Sequence, residues 1–173
     1  KAAWMDVTRV DQQATGRSWL AGDVDGFDTV VLYDMWSKVT EPEKEKLKAL
    51  VEKGGGLLVL HHAMADFQDW PWFSQMFGGR FFTKPQKWEG ADRKTSGYLH
   101  DVDLRVRVED PKHPITRGVK DFDIHDETYS GYWVDPAAHV LLTTTEKTSE
   151  RALAWTKSVG RSRFACMQLG HDS

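Results

Sequence analysis

The ten residues GGGLLVLHHA, positions 54–63, decide how this chain folds. Three glycines stop whatever precedes them. The apolar run 57–60 has the length of a buried strand, and it ends on two adjacent histidines, His61 and His62. Working upstream, Thr40-Glu41-Pro42-Glu43 reads as a capping box, with Thr40 as N-cap, proline in the first turn and Glu43 reaching back. Leu47, Leu50 and Val51 then recur at helical spacing, and Gly54 is a natural left-handed stop after Lys53. Before the helix, DTVVLYD at 28–34 is an apolar run between polar ends, a second buried strand. Strand, capped helix and strand in succession make a βαβ unit. Residues 30–33 and 57–60 are therefore expected to be parallel, with a right-handed crossover and the helix 41–53 on one face.

Working downstream, 72–77 suits a short helix and 102–108 alternates like a half-exposed strand. Residues 140–144 and 164–169 read as two more strands, the latter parallel to the first pair. The Gly/Lys/Arg-rich stretch 84–97 is expected to be a long loop, a type of segment that is often functional. The sum is one α/β domain with a loop-rich insertion.

The chain has 173 residues, enough for one good core. Lys and Arg number 23 against 26 Asp and Glu, so a net charge of -3 supplies no attraction for nucleic acid or an anionic membrane. No apolar run approaches the ~18 residues of a membrane span. The single cysteine, Cys166, excludes an internal disulfide or a multi-cysteine metal cluster; inside an apolar strand it should be buried and unreactive. Eight tryptophans can serve a large aromatic core or stack against sugar rings. Trp36, Trp70, Trp72, Trp88 and Trp133 stand beside polar residues, which favours the second use for them.

Open parallel sheets bind ligands at the carboxyl ends of their strands. Three runs here end in polar groups: Asp34 with Trp36, His61 with His62, and His171 with Asp172. Neighbouring parallel strands would bring these together, with one of the two adjacent histidines facing the site. The turn after 57–60 is also where a nucleophile elbow would sit, but it offers His-His-Ala-Met rather than Ser or Cys, which disfavours acyl-enzyme chemistry. A second cluster, His125-Asp126-Glu127-Thr128-Tyr129, places histidine beside carboxylates, suited to acid–base work, to oxygen/nitrogen metal ligation, or simply to a solvated loop. His100, His113 and His139 have no partner that the sequence identifies and read as surface or structural residues.

Taken in order, Gly54-Gly55-Gly56 to His61, Asp69-Trp70-Pro71-Trp72, Gly78-Gly79-Arg80-Phe81-Phe82, His113-Pro114-Ile115-Thr116, Asp126-Glu127-Thr128-Tyr129, Ala154-Trp155 and Leu169-Gly170-His171-Asp172 resemble the ThuA-like, or trehalose-utilisation, family. The resemblance implies a flavodoxin-like, doubly wound, mainly parallel sheet with helices on both faces, similar to class I glutamine amidotransferases without their cysteine. It also implies one further strand and helix before Lys1-Ala2-Ala3-Trp4 and a helix after Ser173, so no targeting segment is legible. Its pocket positions correspond to His61, Glu127 and His171, with Asp126 and Asp172 nearby. Lys84-Pro85 stands where the family often has His-Pro, and His62 where a small residue is common.

The expectation is a carbohydrate enzyme acting on a sugar or keto-sugar by isomerisation, epimerisation or elimination. His61, Glu127 and His171 would be its catalytic groups or the ligands of a divalent metal ion such as zinc, with Asp34, Trp36, His62, Trp70, Trp72, Asp126, Tyr129 and Asp172 around the substrate. Trp70 or Trp72 is expected to form a wall. A small carbohydrate is the expected partner, with no nucleic acid and no membrane; a homo-oligomer stays open. The alternative is a non-catalytic carbohydrate-binding or assembly module. It would scatter the three groups and line a groove with Trp36, Trp70, Trp72 and Trp133.

Overall fold

The computed structural model describes residues 5–12, 16, 18–22 and 24–171. In chain order its strands are β1 (Thr29–Leu32), β2 (Gly56–Leu60), β3 (Gly79–Arg80), β4 (Gln86–Trp88), β5 (Ala91–Arg93) and β6 (Gly97–Val108). β7 (Phe122–Ser130), β8 (Trp133–Val134), β9 (His139–Thr143), β10 (Ala152–Val159) and β11 (Ser162–Met167) complete the set. The α-helices are α1 (Glu41–Glu52) and α2 (Pro71–Phe77); 3-10 turns cover Trp19–Ala21 and His61–Ala65. No helix among the described residues is long and apolar enough to cross a membrane.

The βαβ unit forms as its sequence dictates. Glu43 Oε2 accepts from the Thr40 backbone N–H at 2.7 Å, closing the capping box. Leu47 and Leu50 of α1 are buried in the main core with Leu57 and Val59 of β2, each such side chain contributing about 1.5–3 kcal/mol by leaving water. Gly54 ends the helix at φ +97, a left-handed conformation that suits glycine. At Gly55 a Cβ would sit 2.5 Å from Leu50 Cδ1, so only glycine lets the chain turn this close under the helix.

Seven strands form one large sheet in the order β1-β2-β11-β10-β9-β6-β7. β1 runs parallel to β2, and β2 parallel to β11, as the sequence predicts. The parallel character stops there: β11–β10, β10–β9, β9–β6 and β6–β7 are all antiparallel. Cys166 on β11 is 2 % exposed, and burial pushes its thiol well above the ordinary range. The two small two-stranded sheets are β3–β8 and β4–β5.

Three expectations need correction. The stretch 84–97 is not a structureless loop. It contains the β4–β5 hairpin, whose turn residues Glu89 and Gly90 have φ +48 and +76, the left-handed pair of a tight hairpin turn. Residues 125–129 are likewise not a loop but the middle of β7. β6 begins at Gly97, well before the alternating stretch that announces it.

Candidate functional site

The register Met167↔Leu60 makes β2 and β11 leave the sheet side by side. His61 follows Leu60 directly, at the head of the 3-10 turn, with φ +51. A non-glycine residue rarely adopts that conformation, and such strain is typical of functional turns. The histidine therefore sits on a strained turn directly after a strand, the kind of turn by which α/β hydrolases expose a nucleophile. Its ring is fully buried, and Nδ1 lies 2.6 Å from the carbonyl oxygen of Gln168, the residue directly after the β11 register partner Met167. A carbonyl can only accept, so Nδ1 carries the proton and Nε2 faces the cluster.

Around Nε2 lie Glu127 Oε2 at 3.0 Å, the Tyr129 hydroxyl at 2.9 Å and His171 Nδ1 at 3.3 Å. Glu127 is 5 % exposed, His171 39 %. Glu127 and Tyr129 come from β7, four places from β11 in the sheet order, yet Gln168 Nε2 donates to the Glu127 carbonyl at 2.8 Å. The sheet curls far enough to bring its last strand back over the carboxyl edge of its parallel half. Alternate residues of β7 serve the two faces: Glu127 and Tyr129 reach the histidines, while Asp126 turns to the chain after β11. The Asp126 carboxylate accepts from the backbone N–H groups of Glu127, Gly170 and His171 at 2.8, 2.7 and 2.9 Å, which fixes the turn that presents His171. Burial, with Glu127 second, holds the Tyr129 phenol well above its ordinary range, so it stays a donor. Burial, then the neighbouring His61 and His171, pushes the His62 imidazole down.

The three residues expected at the centre thus come together: one ligand atom each from His61, Glu127 and His171 lie within 4.8 Å of one another. Tyr129 is in the cluster, and His62 stands beside it, its ring 5.1 Å from that of His61. The tryptophans are elsewhere. Trp70 is buried, stacked on Trp72 at 4.8 Å and packed with Phe67 and Phe73, and Trp36 packs against the same core. Trp88 and Trp133 close a small core with Phe82. These rings serve packing, and the wall expected from Trp70 or Trp72 is replaced by histidine and tyrosine. Asp34 is turned away too: it accepts from Gln12 Nε2 and pairs with Asp66. Asp172 lies outside the described residues.

Three neighbours of the site escape the sequence. Gln168, fully buried, holds His61 and β7 together; its only signal is an amide directly after an apolar strand. Tyr33, just past β1, donates its hydroxyl to the Gly170 carbonyl at 2.8 Å and lays its ring 4.9 Å from His62. His100 of β6 reaches Glu127 Oε1 at 3.1 Å. A separate surface concavity lies on the antiparallel half, lined by Arg105, His125 and Glu146 among others.

The family model described as ThuA, trehalose utilisation, matches residues 3–173. Among solved structures the chain is similar to a ThuA-like protein from Parabacteroides merdae (TM-score 0.75, 19 % identity, 91 % of this chain and 66 % of that one). It is similar to a ThuA-like protein from Bacteroides uniformis (TM-score 0.58, 20 % identity, 83 % and 60 %). It also resembles part of a cold-adapted β-galactosidase from Rahnella sp. R3 (TM-score 0.60, 15 % identity, 88 % and 22 %). The chain thus spans less than two thirds of each of these proteins. No curated protein matches it.

Proposed function

Because this chain belongs to the ThuA family, trehalose utilisation, we propose that it is a carbohydrate-metabolism enzyme that moves protons on a sugar or keto-sugar, with a divalent cation held by His61, Glu127 and His171. The observation that supports this best is the convergence of their ligand atoms within 4.8 Å from three separate segments of chain. Two imidazoles and one carboxylate are the donor set of catalytic zinc sites, which keep a position open for substrate. The hydrogen bond from His61 Nδ1 to Gln168 is the outer contact that such a ligand needs to present Nε2. A buried carboxylate whose ion-pair partners among the described residues are His61, His100 and His171, none of them Lys or Arg, also favours a cation there, since burying an unpaired charge is expensive.

A bound cation would stabilise the negative charge that develops on a carbonyl oxygen when a neighbouring C–H is deprotonated. The chain's own groups do the rest. With His171 among the cation's ligands, the base is His62, whose ring lies 5.1 Å from that of His61 and whose pKa burial pushes down; it takes the proton from the carbon next to the carbonyl or returns it. Delivery of a proton to the same carbon from the other face by a second donor epimerises the sugar. Return to the former carbonyl carbon, with that carbon's oxygen gaining a proton and the neighbouring hydroxyl losing one, isomerises it. Expulsion of a β-oxygen substituent, which leaves with a proton, is elimination. His62, held neutral, and the Tyr129 phenol supply acceptor and donor beside the ring. The two-carboxylate pattern of glycoside hydrolysis is absent among the residues gathered here.

The test is proton exchange. Keto-disaccharides incubated with the protein and zinc in deuterated water should gain deuterium next to the carbonyl, read by NMR. His61→Ala and Glu127→Ala should abolish exchange while leaving the melting temperature level or raised, as befits residues kept for function. Full exchange in both variants would refute the site.

A further inference from the structure

Across β6 and β7, Leu99 pairs with Thr128 and Val102 with Asp126, so His100 and Asp101 together oppose the single residue Glu127. This is a β-bulge, with Asp101 in the left-handed region at φ +57. Bulges recur beside active sites, where they re-aim a side chain, and strained backbone clusters in the same places. Its outer side is held by His125, whose Nε2 lies 3.5 Å from Asp101 Oδ1 and Nδ1 2.8 Å from Asp103 Oδ1. Its inner side sets His100 against Glu127. His100 Nδ1 is 3.1 Å from Oε1, the carboxylate oxygen that does not face His61. The His100 ring also lies 4.8 Å from that of His171 and 5.4 Å from that of Tyr98.

We propose that His100, delivered by this bulge, is the positioning residue of the site: it pins Glu127 Oε1 so that Oε2 alone is presented to a cation between His61 and His171. The proposal rests on the cation reading above. A carboxylate with one oxygen tied binds through the other only, leaving a coordination position for the substrate oxygen. Untied, it can turn both oxygens to the cation and occupy that position. His100 does not ligate in this geometry, because its nearest partner is the far oxygen. Its side chain is 48 % exposed, so it forms the solvent-side wall of the cluster as well.

The experiment is Co2+ titration of the full chain, followed by visible absorption, with His61→Ala, His100→Ala, His100→Leu and His100→Asn alongside and the melting temperature of each recorded. The parent should bind one equivalent and His61→Ala none. His100→Ala and His100→Leu should bind about 10–100-fold more weakly, with a changed d–d spectrum and an unchanged melting temperature, the range found when outer-shell partners of metal ligands are removed. His100→Asn, whose amide donates from nearly the place of Nδ1, should restore most of the affinity and the parent spectrum. Parent-like affinity and spectrum in His100→Ala or His100→Leu would overturn the positioning role and leave the cation site standing. Weak binding by His100→Asn equal to that of His100→Ala would overturn it too, since the hydrogen bond would then not matter. Failure of the parent chain to bind would instead sink the cation reading itself, and this proposal with it.

Discussion

Asp66→Asn should make this protein more stable, and increasingly so as pH rises. Asp66 closes the 3-10 turn that carries His61 and His62, and it is fully buried. Its Oδ1 accepts from the Trp36 backbone N–H at 2.6 Å, and the carboxyl shares a hydrogen bond with Asp34. Burial first, and then the Asp34 charge, push the Asp66 pKa up to about 10. At neutral pH it is therefore a carboxylic acid donating its proton to Asp34. The sign follows from proton counting. Below pH 3.8 the folded and unfolded chains both hold this proton and nothing is lost. Between there and the folded pKa only the folded chain holds it, so stability falls by up to ~1.4 kcal/mol per pH unit, with a ceiling of about 4 kcal/mol at pH 7. Asparagine keeps the acceptor for Trp36 and a donor for Asp34 without titrating. Thermal unfolding of both chains from pH 4.5 to 8.5 should show near-equal midpoints at the acid end. The variant should then gain steadily, by up to roughly 10–20 °C at pH 8, given about 2–4 °C per kcal/mol for a domain of this size. Carboxylates other than Asp34, which is coupled to Asp66, cancel in the difference. A pH-independent difference, or a variant that loses ground as pH rises, would show that Asp66 is ionised and the argument wrong.

Asp126→Ala should lower unfolding free energy by about 3 kcal/mol or more, because three backbone N–H groups lose their acceptor at once. Urea denaturation reads this, and a loss below about 1 kcal/mol would mean that water replaces the carboxylate without difficulty. Cys166 should resist iodoacetamide at neutral pH until the chain is denatured, since its thiol is buried and its pKa raised. Modification of native protein within minutes would contradict that burial.

The legible part of the fold is the part whose burial is apolar. α1 and β2 announce themselves because Leu47, Leu50, Leu57 and Val59 are buried at the spacing that their elements impose. β1, expected as a buried strand, is instead an edge strand in which Leu32 is buried while Val31 is 57 % exposed. β7 fails the same test for a physical reason. Its consecutive residues Asp126, Glu127, Thr128 and Tyr129 are all buried, but they are buried against polar partners, so a strand at the heart of the structure reads as a solvated loop. His61 and His171 could be placed from sequence because each follows an apolar strand at one sheet edge. Glu127 needed the family resemblance as well. His100 was invisible: strict alternation along β6 gives no hint of a bulge, and the bulge alone aims it at Glu127. The tryptophans misled for the opposite reason. Polar neighbours in sequence made Trp70 and Trp72 look exposed, while the short helix α2 turns both against the core.

The curl of the sheet has a bearing on how the molecule folds. His61 meets Gln168 and His171 across sequence separations of 107 and 110 residues, and Tyr129 across 68. Contacts so remote along the chain require most of the loop closures to be complete before they can form, and they form slowly. Helix α1 and the β6–β7 hairpin, built from near neighbours, can assemble well before the edge strand swings back. An intermediate that already has native-like circular dichroism would still lack every convergent group of the cluster. A ligand held by that cluster would select the finished state alone, adding RT ln(1 + [L]/Kd) to its stability. During refolding, the appearance of a ligand-binding signal would mark the moment the sheet closes.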